Sequence, residues 1–314
     1  MSALLFPGQG SQVVGMGTEF YNNFEVVKKI FHQADNKLNF PLSKIILEGP
    51  ENELQLTKNT QPAILTVSYS IFMVLKGEFN FNLDNLKYFA GHSLGEYSAL
   101  VSSGSLKFED AIFLLHERGK AMQNSVPVGK GSMIAILGLD YLKLIDLLKN
   151  FKNKGVCEVA NDNADGQIIV SGDKNSVDTF KNILKEKKIK FIPLKVSAPF
   201  HCSLMKPAAK IMEEKIKKTL FDKPKVKIIN NVNAKETDNP DEIKKLLVDQ
   251  IYSTVKWRES LINISKLGVE NYIEIGPGKA LSGMVKRTIK EKKVKCFSIN
   301  SIADIKNLLN EFKK

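Results

Sequence analysis

The sequence predicts an α/β fold, with a largely parallel sheet in a main domain that is interrupted by a small inserted domain. Three observations carry this. Short β-branched apolar runs alternate with longer amphipathic stretches, the pattern of a parallel sheet with crossover helices. Three of those runs pass at once into a glycine turn. The middle of the chain breaks the pattern with a β-α-β-β-α-β order, after which the first pattern resumes.

Along the chain, residues 3–6 read as a strand ending in Pro7-Gly8-Gln9-Gly10. Residues 88–90 form the next, ending in Gly91-His92-Ser93-Leu94-Gly95. Residues 108–122 have helical apolar spacing. The inserted domain is entered near Val126-Pro127-Val128-Gly129. It holds a strand at 132–137, a helix at 140–150, strands at 155–159 and 167–171, a helix at 175–187 and a strand at 191–196. That order is ferredoxin-like, and it is left near Ser197-Ala198-Pro199. Strands then follow at 225–230, at 272–275, running into Gly276-Pro277-Gly278, and at 295–299. The expected division is 1–127 with 198–314 for the main domain and 128–197 for the insertion. Ligands of such sheets bind beyond the carboxyl ends of the strands. Three glycine turns there predict one shared site, in the cleft between the domains.

Composition excludes several classes. The 314 residues are 43% apolar and 25% charged, which is globular and not disordered. No repeat period appears. The longest mainly apolar run, 63–75, is too short for a bilayer span of about 20 residues. The opening Met1-Ser2-Ala3-Leu4-Leu5-Phe6 has no basic leader, so no secretion signal is expected. Cys157, Cys202 and Cys296 lie far apart, without disulfide or zinc spacing. A cytoplasmic chain with no metal and no membrane partner is expected. The net charge is +12, yet the strongest basic run, Lys185-Glu186-Lys187-Lys188-Ile189-Lys190, is broken and reads as a solvated face. No interleaving of basic and aromatic residues points to nucleic acid.

Of the 46 basic residues only Arg118, Arg258 and Arg287 are arginine. Lysine serves as a surface charge but cannot replace a planar, bidentate donor, so each arginine is informative. Ala111, Leu114, Leu115, Arg118 and Met122 recur at helical spacing, which puts Arg118 on the apolar stripe. A buried guanidinium must be paired. Its partner is either a protein carboxylate or the carboxylate of a substrate, clamped by two parallel hydrogen bonds.

Gly91-His92-Ser93-Leu94-Gly95 fits the G-x-S-x-G nucleophile elbow, between a strand and a helix that starts at Glu96. A serine there needs a base. His32 and His116 sit in helical patterns, and His92 points away from its neighbour on an elbow. His201, at the exit of the insertion, is the candidate. Asp162, Asp165, Asp173 and Asp178 lie between Ser93 and His201, but none has a distinctive setting. Either the group that orients the histidine is not an acid, or the sequence does not reveal it. Pro7-Gly8-Gln9-Gly10-Ser11-Gln12 misses the phosphate-loop spacings. Its backbone N–H groups suit an oxyanion hole better.

These segments together resemble the malonyl-CoA:acyl-carrier-protein transacylase family of bacterial-type fatty acid synthesis. The residues that carry the resemblance span nearly the whole chain. They are Leu5-Phe6-Pro7-Gly8-Gln9-Gly10-Ser11-Gln12, Thr60-Gln61-Pro62-Ala63, the elbow with Glu96-Tyr97, Arg118-Gly119-Lys120-Ala121-Met122, Phe200-His201 and Glu274-Ile275-Gly276-Pro277-Gly278. The resemblance implies an α/β-hydrolase-like core with a ferredoxin-like insertion. It implies Ser93 as nucleophile, His201 as base, and the N–H groups of Gln9 and Leu94 as oxyanion hole. The carbonyl of Gln250 would orient His201. Arg118 would take the malonyl carboxylate, with Gln9, Met122 and Phe200 also at the substrate. Phe200 would exclude an α-methyl by steric clash. No cofactor is implied, malonyl-CoA being substrate, and the expected partner is an acidic acyl carrier protein serving a monomer. Lys286 and Arg287 are the expected docking charges. The rival readings are a serine esterase or thioesterase, a basic binding module with a degenerate site, and an acyltransferase serving polyketide synthesis.

Overall fold

The computed structural model describes residues 1–152, 154–196, 198–290 and 293–312, so Ser197, at the expected exit of the insertion, lies outside the described residues. The strands are β1 (Ser2–Phe6), β2 (Leu86–Gly91), β3 (Gly131–Leu137), β4 (Cys157–Ala164), β5 (Gln167–Asp173), β6 (Lys190–Pro193), β7 (Lys227–Ile229), β8 (Glu236–Thr237), β9 (Asn271–Ile275) and β10 (Lys295–Ile299). They sort into two sheets. The larger runs β10-β9-β1-β2-β7-β8, parallel except for the β7–β8 pair. The smaller runs β4-β5-β3-β6 and is antiparallel throughout. Helices Tyr141–Asn150 and Lys174–Glu186 fall between its strands, which realises the β-α-β-β-α-β order.

Central β1 shows why the larger sheet is parallel and covered on both faces. All five of its residues are buried. Leu4 and Phe6 enter one apolar core, while Ala3 and Leu5 enter a second. The period of two thus sends alternate side chains to opposite faces, and both must be apolar. A third core, with Ile134, Ile136, Val170 and Phe180, lies beneath the smaller sheet.

The structure corrects several boundaries. The strand expected at 155–159 runs instead from Cys157 to Ala164, through the polar run Asn161-Asp162-Asn163. That run reads as a loop until its side-chain partners are known. The strand expected at 191–196 ends at Pro193, which has no N–H to continue a ladder. That expected at 225–230 is only Lys227–Ile229, and the two-residue β8 carries no sequence signal. Asp140, expected inside a helix, is its N-cap, accepting from the N–H groups of Leu142 and Lys143. No described helix is long and apolar enough to cross a membrane.

Candidate active site

The elbow is a backbone constraint before it is a chemical one. Ser93 sits between β2 and the Gly95–Ser102 helix at φ +54°, a left-handed conformation that non-glycine residues seldom adopt. A Cβ on Gly91 would lie 1.9 Å from the Gly95 carbonyl carbon, and one on Gly95 would lie 2.3 Å from Phe6 O. Two glycines are therefore obligatory around the serine. The strained residue is pinned on both sides. Its N–H donates to Asn231 Oδ1 at 2.7 Å, and its carbonyl accepts from Gln250 Nε2 at 3.1 Å.

Ser93 Oγ lies 2.7 Å from His201 Nε2, and both residues are buried. His201 Nδ1 lies 2.8 Å from the Gln250 carbonyl oxygen. A carbonyl can only accept, so Nδ1 carries the proton and Nε2 is free to accept the serine O–H. Burial, and then the charge of Arg118, depress His201 to about 3, so its resting form is the neutral imidazole a base requires. None of the four aspartates reaches it. Asp162 pairs with Arg258, Asp165 with Lys290, Asp178 with Lys174 and Lys181, and Asp173 caps a helix. The group that orients the histidine is a backbone carbonyl.

Arg118 is buried, at 1% exposure, and no carboxylate lies within ion-pair distance of it among the described residues. Its Nη1 donates to Gln61 Oε1 at 2.8 Å. Its Nη2 donates to Gln250 Oε1 at 2.8 Å and to Ser93 Oγ at 3.2 Å. Its Nε–H has no partner. Of the two partners open from sequence, the protein carboxylate is thus not the one present. Gly119 explains how the arginine gets there. A Cβ on it would fall 2.6 Å from Lys58 Cα and from Thr57 O, so the Phe108–Asn124 and Thr57–Gly77 helices touch backbone to backbone. Pro62, one residue beyond Gln61, lacks the N–H that would bond the Lys58 carbonyl; His116 Nδ1 donates there instead, at 2.9 Å. The other arginines are structural or peripheral: Arg258 grips Asp162, and exposed Arg287 reaches Gln167.

Gln9, Gln61, Ser93, Arg118, Met122, Phe200 and His201 line one side of a cavity of about 170 Å³. Met133, Asn161, Asn163 and Ile169, from the smaller sheet, line the other. A larger hollow of about 660 Å³ around Phe113 and Leu220 contains no serine–histidine pair, so volume alone does not locate the chemistry. Leu94 is the N-cap of the helix after the elbow, where N–H groups lack intrahelical acceptors. His92 turns from Ser93 toward Asn163 Oδ1, 2.7 Å from its Nε2, and packs edge-on against Trp257. One expectation is corrected: the Gly276-Pro277-Gly278 turn contributes no lining residue. It packs behind Pro7, where a Cβ on Gly276 would fall 2.7 Å from Pro7 Cγ.

Sequence reasoning missed four participants. Gln61 and Glu96 stood inside quoted motifs without a role, and only the backbone of Gln250 was singled out. Asn231 was passed over entirely. The signal available for it was the polar run Asn230-Asn231-Val232-Asn233 at the carboxyl end of the strand beside β2.

A serine on an elbow, hydrogen-bonded to a neutral histidine and backed by helix N–H donors, defines an enzyme of the serine-dependent acyl-transfer class. The buried arginine beside the nucleophile separates it from a plain esterase. The acyl transferase domain family model matches residues 3–310, and the chain belongs to that family. It is 43% identical over 293 residues to the malonyl CoA-acyl carrier protein transacylase of Bacillus subtilis, covering 93% of this chain and 91% of that one. To the enzyme of that name from Escherichia coli K12 it is 40% identical over 288 residues, covering 91% and 92%. The acyl-carrier-protein S-malonyltransferase of Bartonella henselae superposes with a TM-score of 0.95 at 39% identity, covering 100% and 99%. A malonyl-transacylase solved in complex with a type II PKS acyl-carrier protein superposes with a TM-score of 0.94 at 37% identity, covering 99% of each chain.

Proposed function

We infer that this chain moves a malonyl group from malonyl-CoA to the phosphopantetheine thiol of an acyl carrier protein, in fatty acid biosynthesis, through a malonyl ester on Ser93. The observation that carries the reading is Arg118: a buried cation held by amides and not by acids, 3.2 Å from the nucleophile. A neutral acyl group offers no charge to offset the burial of that cation.

The chemistry is ping-pong. His201 Nε2 takes the Ser93 proton as Oγ attacks the thioester carbon. The N–H groups of Gln9 and Leu94 receive the oxyanion, each such donor contributing about 3 kcal/mol to the transition state. Coenzyme A leaves with the proton from His201. The carrier thiol then attacks the ester, giving its proton to His201, and Ser93 is regenerated. Arg118 holds the malonyl carboxylate through both halves. Met122 lies one helical turn beyond Arg118 on the same face and walls the acyl site with Phe200. The reading takes the chain to act as a monomer. The reading places the chain in the cytoplasm, its inserted domain at 128–197 closing the cleft over the core. Exposed Lys286 and Arg287 are the docking charges for the acidic carrier. The superposed transacylase bound to a polyketide carrier supports a second reading, in which only the carrier differs.

The test is the intact mass of the chain after mixing with malonyl-CoA and no carrier. The expected result is a gain of one malonyl group, absent in Ser93→Ala and discharged by added carrier thiol. Hydrolysis outpacing transfer, or an unmodified chain, overturns the reading.

A further inference from the structure

Glu96 is buried at 2% exposure, and the mechanism above gives it nothing to do. Its Oε2 accepts from Gln250 Nε2 at 2.8 Å and from the Asn231 N–H at 3.1 Å. The other end of the same carboxamide, Gln250 Oε1, accepts from Arg118 Nη2 at 2.8 Å. One amide therefore joins a buried guanidinium to a buried carboxylate that it does not touch. A direct bidentate ion pair would occupy the guanidinium, and a substrate carboxylate would have to displace it. The relay supplies a counter-charge and still leaves the Arg118 Nε–H without a partner.

We propose that Glu96 is the yielding counter-charge of the Arg118 clamp: ionised while the acyl site is empty, it takes up one proton when a substrate carboxylate settles on the guanidinium. The proposal rests on the malonyl reading of the clamp. A single buried cation balances one anion, and a second unpaired anion in the same low-dielectric site is strongly disfavoured. Protonating Glu96 removes it. The proton comes from solvent and returns there when the acyl group leaves on the carrier thiol; no bond to substrate forms. Burial already raises the Glu96 carboxyl to about 7, so the change falls in the working range. Among the described residues its surroundings contain no competing switch. Arg118 faces it from the Phe108–Asn124 helix and stays charged, and the Tyr97 hydroxyl beside it is pushed up to about 12. His201, across Gln250, is depressed to about 3, and burial lowers His92 as well. Asn231 and Gln250 present neutral donors. Glu96 is thus a positioning residue, acting through Gln250 and never on the acyl group.

The test is binding calorimetry on the Ser93→Ala protein, which cannot turn over, at pH 8 in two buffers of different ionisation enthalpy. Malonyl-CoA should bind with net proton uptake, up to one per site, beyond that seen with acetyl-CoA. Its affinity should fall toward tenfold per pH unit above pH 7 while that of acetyl-CoA stays level. The Ser93→Ala, Glu96→Gln double variant should bind malonyl-CoA with neither the extra proton nor the pH dependence. Equal proton uptake for both thioesters, or a slope that survives Glu96→Gln, overturns the proposal while leaving the clamp standing. If malonyl-CoA binds no better than acetyl-CoA at any pH, both fall. Should the double variant not fold, the comparison of two thioesters on Ser93→Ala decides alone.

Discussion

Replacing Arg118 with alanine tests the acyl site most directly. The guanidinium is anchored at 2.8 Å to Gln61 and at 2.8 Å to Gln250, so its position is fixed before substrate arrives. A malonyl carboxylate gains charge-assisted hydrogen bonds there, at about 2 kcal/mol each. Two such bonds give about 4 kcal/mol, or about a thousandfold in kcat/KM for malonyl-CoA. An acetyl group has no carboxylate to lose. It feels only the missing 3.2 Å contact with Ser93 Oγ, worth about 1 kcal/mol or about fivefold. The assay is rapid-quench acylation followed by intact mass, with each thioester on the same enzyme batch. The ratio of the two rates cancels any fraction of protein lost to misfolding, a needed control because the substitution strands two buried amides. A ratio unchanged by Arg118→Ala would refute the clamp, because a purely structural arginine damages both substrates alike.

Gly119→Ala pushes a methyl to within 2.6 Å of the Lys58 backbone, and overpacking of that kind costs about 2 kcal/mol; urea unfolding should show the loss, and none would mean the helices separate freely. Asn231→Ala leaves the Ser93 N–H and the Gly91 carbonyl buried without partners, for about 3 kcal/mol of stability and a fall in kcat with KM little changed. Because the folded His201 pKa lies below its usual value, the base stays neutral from pH 7 down past pH 5, and acylation should hold level over that window; an acid limb near pH 6.5 would contradict the burial argument. The same shift makes the unfolded chain bind one more proton at His201 below about 6.5, but Glu96, raised to about 7, binds one more in the folded state over nearly the same range, so the loss of stability from this pair should appear only as pH falls below about 4.5 toward 3. Carrier-dependent turnover should slow as salt rises, by screening of the exposed lysine-rich surface; indifference to salt would remove electrostatic steering.

Of the three side chains that the fold brings together, the elbow serine and Arg118 were legible in the sequence, for different physical reasons. The elbow shows because a tight turn demands glycine at fixed spacing. Arg118 shows because a charge on an apolar stripe violates helical patterning. His201 alone had no such signal, only a place at the end of an insertion. What residue patterning hides is whatever acts by backbone or by uncharged amide, and only the family resemblance pointed to the backbone of Gln9, Leu94 and Gln250. The acceptor for His201 Nδ1 is a carbonyl that every residue possesses, so no residue type announces it. Gln61, Gln250 and Asn231 look like surface amides until the fold buries them. By patterning alone Met122 and Phe200 read as ordinary core; the family resemblance put them at the substrate, and both line the cavity.

The inserted sheet is the part whose purpose the sequence conceals most, and β4 reveals it. An edge strand leaves a row of backbone groups unpaired. Here the Asp162 N–H donates to Val255 O at 3.0 Å, and the Val255 N–H to Ala160 O at 2.8 Å, joining that edge to the main body. The side chains then act on both halves of the reacting pair. Asn163 holds His92, the residue before the nucleophile, at 2.7 Å. Glu158 accepts from the Ser203 N–H at 2.8 Å and from its Oγ at 2.6 Å, two residues beyond the base. Asp162 locks the same strand to Arg258. Strand β4 therefore contacts both segments, the nucleophile's through the polar run that disguised it as a loop and the base's through Glu158. A hydrogen bond of 2.7 Å between groups on two different loops needs its endpoints held from outside those loops. The smaller sheet supplies that hold, which is why the base can sit in the segment leaving it and still meet a serine 108 residues earlier in the chain.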